Sequence, residues 1–399
     1  MKISGRAFAD LLERHGFDFF TGVPCSLIED LIAVLETHPR LPYVAAVKED
    51  VAVGLVAGAW LDGKRPVVLM QNSGLGTSLN ALASLSLMYG FPALLVVTWR
   101  GHGGKDAPEH ILMGEISPRL LDLLGIQHRV IAPGSLDTDL AWAASTMTEK
   151  MQPVALVVPP GIVEMGNVHA ASAARDAEPG GQLAAGPADR SDIRSRSSVA
   201  PAPAAAADRL EPSISRLAAL RVALAQIGRE PVIHANGYIC RESFSISDRP
   251  QSFYMIGSMG LAAAIGLGIA LARPSSTPVI FDGDGNLLMN LGILPMIGAQ
   301  RPPGLLHLVF DNEVYGSTGN QASPSRAVRL DRLAGAAGFA SAVAVSQPGT
   351  LDAALNAALA APGPHFVLVK VTREEADVAR IPYAPAALRD RFRAALLGG

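Results

Sequence analysis

Short, wholly apolar runs alternate with longer segments of helical pattern along the chain, except between residues 170 and 207. Because such runs have no polar face, they are typical of strands buried on both sides in a parallel sheet. The strands predicted from these runs are residues 43–47, 67–70, 93–98, 154–158, 232–234, 279–282, 306–310 and 366–371. Segments 52–61 and 261–271 are rich in Ala and Gly, so the helices predicted there can pack close to a sheet. The pattern predicts an α/β fold with two parallel-sheet domains.

The composition changes abruptly near Gly166, which divides the chain of 399 residues into two halves. Residues 170–207 are dominated by Ala, Pro, Gly, Ser and Arg, and they keep no apolar period. Such a segment cannot bury a face, so it is predicted to be a disordered, mobile linker. The predicted organisation is a first domain (1–165), a linker (166–210), a second domain (211–385) and a C-terminal tail (386–399).

Hydrophobic residues make up 49% of the chain and charged residues 17%, which is the balance of a well-packed α/β protein. The net charge is −3, and the scattered Lys and Arg residues argue against a nucleic-acid or membrane partner. No apolar run reaches the roughly 18 residues that span a bilayer, and the first residues show no signal-peptide pattern. The two cysteines, Cys25 and Cys240, are predicted to be reduced thiols in a cytoplasmic protein.

The unusual polar residues fall where predicted strands end, and these clusters are residues 48–50, 71–74, 99–101, 282–285 and 311–312. In open parallel sheets the ligand crevice lies beyond the carboxyl ends of the strands. Competing patterns fail: one phosphate-loop match precedes a strand instead of following it, and two dinucleotide fingerprints lack their third glycine. A nicotinamide dehydrogenase is therefore disfavoured, and the clusters predict a different ligand site at this edge of the sheets.

The tripeptide 283–285, Gly-Asp-Gly, is followed by 25 residues and then by the dipeptide 311–312, Asp-Asn. This resembles the signature of thiamine-diphosphate enzymes, in which Gly-Asp-Gly precedes an Asn at a similar spacing. Mg²⁺ prefers hard oxygen ligands, and the glycines allow the backbone to approach the diphosphate closely. The resemblance implies that Asp284, Asn312 and the backbone carbonyl of Val314 hold Mg²⁺. Either motif alone is also compatible with an ordinary turn.

Two further features resemble the same enzymes. Residues 257–260, Gly-Ser-Met-Gly, match the loop that supports the aminopyrimidine of the cofactor, and Met259 matches the bulky residue that holds the cofactor bent. Glu49 follows a predicted strand, opens the next helix and matches the family's glutamate on the pyrimidine ring. That glutamate shares a proton with N1′, so Glu49 is the predicted catalytic residue. The alternatives are core packing for Met259 and a dipole-stabilised helix-start acid for Glu49.

Both halves, though not the linker, resemble the two-domain decarboxylases that act on phosphonopyruvate or sulfopyruvate. The motifs that carry this resemblance are residues 22–26, 71–76, 99–101, 105–110, 257–260, 283–285, 311–312 and 315–319. The resemblance implies a pyrimidine-binding first domain, a diphosphate-binding second domain, and a homodimer or larger assembly with active sites between subunits. The residues that it implies for the cofactor are Glu49, Asn72, Gly257, Ser258, Met259, Gly283, Asp284, Gly285, Asn286, Asn312, Tyr315 and Gly316.

The implied reaction is the non-oxidative decarboxylation of a three-carbon 2-oxo acid with an anionic tail. Basic side chains crowd a Gly-rich loop after a predicted strand, and fixed cations there would attract a phosphonate or a sulfonate. Residues 99–110 favour phosphonopyruvate, residues 315–321 are at least as close to the sulfopyruvate enzymes, and Leu261 and Asn290 stand where many relatives have His. The predicted substrate residues are Ser26, Arg100, His102, Lys105 and His110.

Three other interpretations remain open from the sequence. The basic loop is compatible with an ordinary solvated surface loop. A carboligase of the acetolactate-synthase type would use the same cofactor, but the missing middle domain and flavin site weigh against it. A catalytically silent binding or regulatory paralogue is disfavoured because Glu49, Asp284 and Asn312 are all present.

Overall fold

The computed structural model describes residues 2–165 and 210–398, so the predicted linker lies outside the described residues except at its last position. The strands of the first half are β1 (Phe19–Gly22), β2 (Tyr43–Ala45), β3 (Pro66–Gln71), β4 (Leu94–Thr98), β5 (His128–Val130) and β6 (Val154–Val158). They form one sheet in the order β2-β1-β3-β4-β6-β5, and every neighbouring pair is parallel.

The second half contains a six-stranded parallel sheet and a short antiparallel ribbon. Its strands are β7 (Val232–His234), β8 (Ser252–Tyr254), β9 (Val279–Gly283), β10 (Leu306–Asp311), β11 (Val314–Tyr315), β12 (Gln321–Ala322), β13 (Ser341–Val345) and β14 (His365–Lys370). The sheet order is β13-β14-β10-β9-β7-β8, and β11 pairs with β12 in the ribbon. The α/β architecture with two parallel sheets is thereby confirmed.

Helices cover both faces of each sheet. In the first half they are α1 (Gly5–Arg14), α2 (Glu29–Glu36), α3 (Glu49–Leu61), α4 (Asn72–Ala81), α5 (Pro108–Leu123) and α6 (Leu136–Lys150). In the second half they are α7 (Arg216–Gln226), α8 (Tyr238–Ile246), α9 (Ala262–Ala272), α10 (Asp284–Met289), α11 (Ile293–Gln300), α12 (Leu330–Ala336), α13 (Pro348–Ala360) and α14 (Pro385–Leu397). On β3, Val67 and Leu69 pack into one apolar cluster, while Val68 and Met70 pack into another. The strands are therefore buried on both faces, as their apolar runs predict.

All eight predicted strands are present, with ends that differ by at most two residues. In the two six-stranded sheets, the strands β1, β5, β8 and β13 were not predicted from the sequence, and neither were β11 and β12 of the ribbon. Of the four in the six-stranded sheets, β5, β8 and β13 lie at sheet edges, and β5 and β13 are partly exposed and therefore lack a continuous apolar run. The fourth, β1, is only four residues long and ends in glycine.

The two halves pack against each other through α3 and α9. A Cβ atom at Gly58 would collide with the carbonyl of Ile265, and one at Gly268 would collide with the carbonyl of Leu55. The two helix backbones therefore touch, which is possible only because glycines stand at the contact. One apolar core continues through this contact and contains residues of both halves.

The segment predicted as a C-terminal tail, residues 386–399, is helical as far as Leu397. Phe392 is fully buried, and Arg389 donates from Nη1 to the carbonyls of Tyr89 and Gly90 at 2.8 and 2.9 Å. Helix α14 therefore packs on the first half of the chain. No helix in residues 2–165 and 210–398 is long and apolar enough to cross a membrane.

Candidate active site

The predicted metal ligands lie together at the carboxyl edge of the second sheet. Asp284 directly follows β9 and begins α10, while Asn312 directly follows β10. The two strands are adjacent and parallel, with Gly283 opposite Phe310. Asp284 is 3% exposed and Asn312 is 6% exposed, and both line the same cavity as Val314. The fold therefore brings one carboxylate and one amide to a single buried place.

The environment of Asp284 suits a bound cation. Burial, and secondarily the nearby Asp311 carboxylate, raises the pKa of the Asp284 carboxyl to about 6. A buried carboxylate next to another carboxylate gains from a divalent cation, which would stabilise its ionised form. The donor set of a carboxylate, an amide and a backbone carbonyl is the hard-oxygen set that Mg²⁺ prefers.

The backbone bends sharply between Asn312 and Val314. Glu313 has a φ of 61°, a left-handed conformation that is uncommon for a non-glycine residue. The Val314 N–H donates to Asn312 Oδ1 at 3.3 Å, and the Glu313 N–H donates to Asp311 Oδ1 at 2.9 Å. Such backbone strain concentrates at functional sites. Here the bend places Asn312 and Val314 on the wall of the cavity.

The cavity has a volume of about 90 Å³, and the described residues that line it all belong to the second half of the chain. They include the predicted cofactor residues Met259, Gly283, Asp284, Gly285, Asn286, Asn312, Tyr315 and Gly316. A side chain at Gly285 would meet the ring of Tyr315 at 2.5 Å, so this glycine keeps the wall open. These residues are brought together as the signature implies, although their contacts with a cofactor stay a prediction.

The turn after β7 also lines the cavity, although the sequence motifs did not predict it as part of the site. Asn236, Gly237 and Tyr238 precede and begin α8, whose first N–H groups have no partner within the helix. A helix N-terminus of this kind attracts phosphate groups. The Asn236 Oδ1 atom is buried without a hydrogen-bond partner among the described residues, which is uncommon unless a ligand or water is bound. The sequence could have indicated this turn, because Asn236 follows a predicted strand, as the other polar clusters do.

The loop 257–260 is held in place by α10 and by the first half. The Gly260 N–H donates to Asn286 Oδ1 at 2.6 Å, and Asn290 Nδ2 donates to the Gly260 carbonyl at 3.2 Å. Ser258 has a φ of 52°, and its hydroxyl lies 2.7 Å from the Ser84 hydroxyl of the first half. The loop thereby presents Met259 to the cavity, whereas the structure gives Gly257 and Ser258 no place in its lining.

Glu49 begins α3 but does not line this cavity. It is half-buried and lies directly over Gly74, where a Cβ atom would overlap its carboxylate. The Thr77 hydroxyl donates to Glu49 Oε2 at 3.3 Å. Within one chain, therefore, the structure does not bring the predicted catalytic acid to the predicted metal ligands.

The basic loop after β4 is folded around an ion pair. Arg100 donates from Nε and Nη2 to the two carboxylate oxygens of Asp106, each at 2.6 Å. Hydrogen bonds from Arg100 hold the pKa of Asp106 well below its ordinary value. The His102 ring lies 4.0 Å from the Trp99 ring, and Lys105 is exposed. The guanidinium of Arg100, a predicted substrate-binding residue, is therefore held in one orientation by the Asp106 carboxylate.

Asn72, a predicted cofactor residue, supports this loop. Its Nδ2 donates to the Arg100 carbonyl at 2.9 Å and to the Ser117 hydroxyl at 3.1 Å, while its Oδ1 accepts from the Arg100 N–H at 3.2 Å. The side chain is 1% exposed. The amide of Asn72 is therefore engaged by the protein itself.

Three other predicted groups lie near this edge of the first sheet. Ser26 is exposed and begins a short 3-10 turn after Cys25. The Cys25 thiol lies 3.0 Å from the Thr98 hydroxyl at the end of β4. His110 lies in the first turn of α5, with its Nε2 at 3.8 Å from Glu109 Oε1. Both cysteines are free and buried, which agrees with the prediction of unpaired thiols.

Comparisons with known proteins agree with this arrangement of the two halves. Residues 4–126 match the family described as "Thiamine pyrophosphate enzyme, N-terminal TPP binding domain". Residues 240–369 match "Thiamine pyrophosphate enzyme, C-terminal TPP binding domain". A benzoylformate decarboxylase structure from Polynucleobacter necessarius is similar with a TM-score of 0.69 at 14% identity, covering 94% of this chain and 100% of that one. At this identity the structural likeness shows the fold alone.

Sequence relatives narrow the family further. The chain is 37% identical to the phosphonopyruvate decarboxylase of Streptomyces viridochromogenes, over 95% of this chain and 91% of that protein. It is 34% identical to the phosphonopyruvate decarboxylase of Streptomyces hygroscopicus, over 95% and 90% of the two chains. It is 28% identical to the sulfopyruvate decarboxylase of Methanosarcina acetivorans, over 97% and 96%. These likenesses extend over both halves, and the chain therefore belongs to the thiamine-diphosphate-dependent 2-oxo acid decarboxylases of the phosphonopyruvate and sulfopyruvate decarboxylase group, which are carboxy-lyases.

Proposed function

We propose that this decarboxylase converts 3-phosphonopyruvate to phosphonoacetaldehyde and carbon dioxide, with Mg²⁺ as the metal. The observation that carries the proposal is the fixed guanidinium of Arg100 within the basic loop after β4. Asp106 engages Nε and Nη2, so the pair does not use Nη1, which can donate to an anionic tail. Lys105 would add positive charge around it, and the rings of His102 and His110 would add hydrogen-bonding groups.

The substrates differ in the charge of their tails. A phosphonate carries up to two negative charges at neutral pH, a sulfonate carries one, and pyruvate has no charged tail. An Arg held by a carboxylate loses less entropy on binding a second anion than a free side chain would. The similarity to two phosphonopyruvate decarboxylases at 37% and 34% identity supports the phosphonate.

We infer that Asp284, Asn312 and the Val314 carbonyl hold Mg²⁺, while the turn 236–238 binds the diphosphate through its N–H groups. Thiamine diphosphate, when bound, supplies the nucleophilic carbon and the electron sink for decarboxylation. Glu49 would hold a proton at N1′ of the pyrimidine ring. Arg100 would orient the substrate and neutralise its tail.

We also propose a homodimer or larger assembly in which Glu49 of one subunit reaches the cavity of another. The support is that Glu49 does not line the cavity of its own chain, whose described lining comes from the second half. A second chain would supply the missing acid.

Sulfopyruvate, with sulfoacetaldehyde as the product, is the alternative substrate. It is favoured by residues 315–321, which are at least as close to the sulfopyruvate enzymes, and by the relative that is 28% identical over 97% of this chain. Residues 315–316 lie on the cavity wall, where a difference in sequence can change the substrate preference.

An aldehyde-release assay with Mg²⁺ and thiamine diphosphate distinguishes these substrates. We expect the highest kcat/KM for phosphonopyruvate, a lower value for sulfopyruvate, and the lowest for pyruvate. Arg100→Gln should lower kcat/KM for phosphonopyruvate about 10- to 100-fold, because a hydrogen bond to a charged group is lost. Turnover of pyruvate should change much less.

Arg40→Gln is the matched control, because Arg40 also pairs with a carboxylate, Glu13, but is exposed and lies before β2. This variant should leave kcat/KM unchanged for phosphonopyruvate, sulfopyruvate and pyruvate. A higher kcat/KM for sulfopyruvate would select the alternative substrate. Equal values for the three acids would contradict recognition of an anionic tail.

A further inference from the structure

Asp311 is a buried carboxylate beside the predicted metal site, and the sequence signature gives it no role. It directly precedes Asn312 and is 1% exposed. Lys370 donates from Nζ to Asp311 Oδ2 at 2.8 Å, and the Ser325 hydroxyl lies 2.8 Å from Asp311 Oδ1. A carboxylate at this depth needs such partners, because burying an unpaired polar group is costly.

The same Ser325 hydroxyl contacts the predicted metal ligand Asp284. Its Oγ lies 3.0 Å from Asp284 Oδ2, and Ser325 is 3% exposed. Ser325 belongs to the 3-10 turn Pro324–Ala327, which lies against α10. One hydroxyl therefore joins Asp284 to Asp311 and restricts the orientation of the Asp284 carboxylate.

Lys370 holds the chain on both sides of Asn312. Its Nζ donates to Glu313 Oε1 at 2.6 Å as well as to Asp311. Glu313 is the residue with left-handed φ, so the bend it forms is strained and needs surrounding contacts to persist. That bend carries Asn312 and Val314 to the cavity. Lys370 thus fixes the two proposed ligands without lining the cavity itself.

We propose that Ser325 and Lys370 are positioning residues that hold the metal site in its binding geometry before Mg²⁺ arrives. The inference rests on the proposed function, in which Asp284, Asn312 and the Val314 carbonyl hold the metal. Partners that orient ligands in this way set metal affinity, because the ligands need no reorganisation on binding. Ser325 contacts the proposed ligand Asp284 itself, whereas Lys370 acts through Asp311 and Glu313, the residues on either side of the proposed ligand Asn312.

The first test compares Ser325→Ala with Ser325→Thr, which keeps the hydroxyl. Calorimetric titration of thiamine diphosphate at a series of Mg²⁺ concentrations gives the Mg²⁺ midpoint for cofactor binding, independently of turnover. We expect the midpoint to rise about 10- to 100-fold in Ser325→Ala, the range typical of lost outer-shell partners. Ser325→Thr should remain near the parent. Saturating Mg²⁺ should restore cofactor binding in Ser325→Ala, which general damage to the fold would prevent.

The second test compares Lys370→Met with Lys150→Met, an exposed lysine at the end of α6. Only Lys370→Met should raise the midpoint. If circular dichroism shows that Lys370→Met does not fold, the Mg²⁺ midpoints of Ser325→Ala and Ser325→Thr alone test the inference. A parent protein without Mg²⁺-dependent cofactor binding would contradict the proposed function. A parent that binds, together with an unchanged midpoint in Ser325→Ala, would overturn this inference alone.

Discussion

His234 is the last residue of β7, and its imidazole is 0% exposed. It stacks on Tyr254 with ring centroids 4.7 Å apart and meets Phe281 edge-on at 5.1 Å. Neither ring nitrogen has a hydrogen-bond partner among the described residues. Burial, and secondarily the charge of Arg249, lowers the pKa of His234 to about 3. The neutral ring is therefore strongly favoured in the folded state.

This pKa predicts a loss of stability at acid pH. The unfolded state binds a proton below its ordinary pKa of about 6.5, whereas the folded state does not until about pH 3. Stability should therefore fall as the pH drops through this window, by up to about 1.4 kcal/mol per pH unit from this group. His234→Gln cannot take up the proton, so its urea midpoint should decline less than that of the parent between pH 7 and pH 4.5. Parallel declines would contradict the assignment.

At the scale of single residues, some residues of the candidate site can be predicted from the sequence and others cannot. Asp284 and Asn312 are identifiable because a chemical signature at a fixed spacing lies on strand ends. Ser325 and Lys370 carry no such signature, since each gains its role only when distant segments meet beside Asp311. A lone serine or lysine in a sequence gives no sign of such a contact.

At the scale of elements, burial decides what the sequence reveals. The central strands β3, β4, β9 and β10 are almost wholly buried, so their apolar runs predict them directly. The edge strand β13 is partly exposed at every residue except Val345, so it has no continuous apolar run, and it pairs with β14. Its formation is decided by tertiary contact, which local pattern does not record.

The contact between α3 and α9 predicts the effect of a substitution on stability. Gly268→Ala would push a methyl group into the Leu55 carbonyl, so the helices must separate. We expect a loss of about 1–3 kcal/mol in the free energy of unfolding, the usual cost of overpacking. Gly349→Ala in α13 is the control, because a Cβ atom there meets nothing within 4 Å. It should be neutral or stabilising by about 0.4–1 kcal/mol. Equal urea midpoints for the two variants would show that the helices do not touch in solution.

At the scale of the whole molecule, the two parts of the proposed active site lie on different halves. The cavity is lined by described residues of the second half, whereas Glu49 lies on the first half over Gly74. The contact through α3 and α9 fixes the halves against each other within a chain. Because this arrangement does not place Glu49 on its own chain's cavity, the proposed function needs a second chain.

Two variants separate the contributions of the halves. Glu49→Gln keeps the size of the side chain but cannot share a proton, so turnover should fall roughly 10²- to 10⁴-fold while cofactor affinity changes little. Asp284→Ala removes the carboxylate of the proposed metal site and should abolish Mg²⁺-dependent cofactor binding. A dimer carrying one chain of each kind then tests where the sites lie, when it is purified through two different affinity tags.

If each site takes Glu49 from one subunit and Asp284 from the other, this mixed dimer holds one intact site and one doubly altered site. It should have about half the decarboxylase activity of the parent dimer, whereas sites within single chains would leave it nearly inactive. Pairing the double variant Glu49→Gln/Asp284→Ala with a parent chain reverses the expectation. Sites between subunits then leave no intact site, and activity should nearly vanish. Sites within chains would retain about half the activity, because the parent chain would be complete.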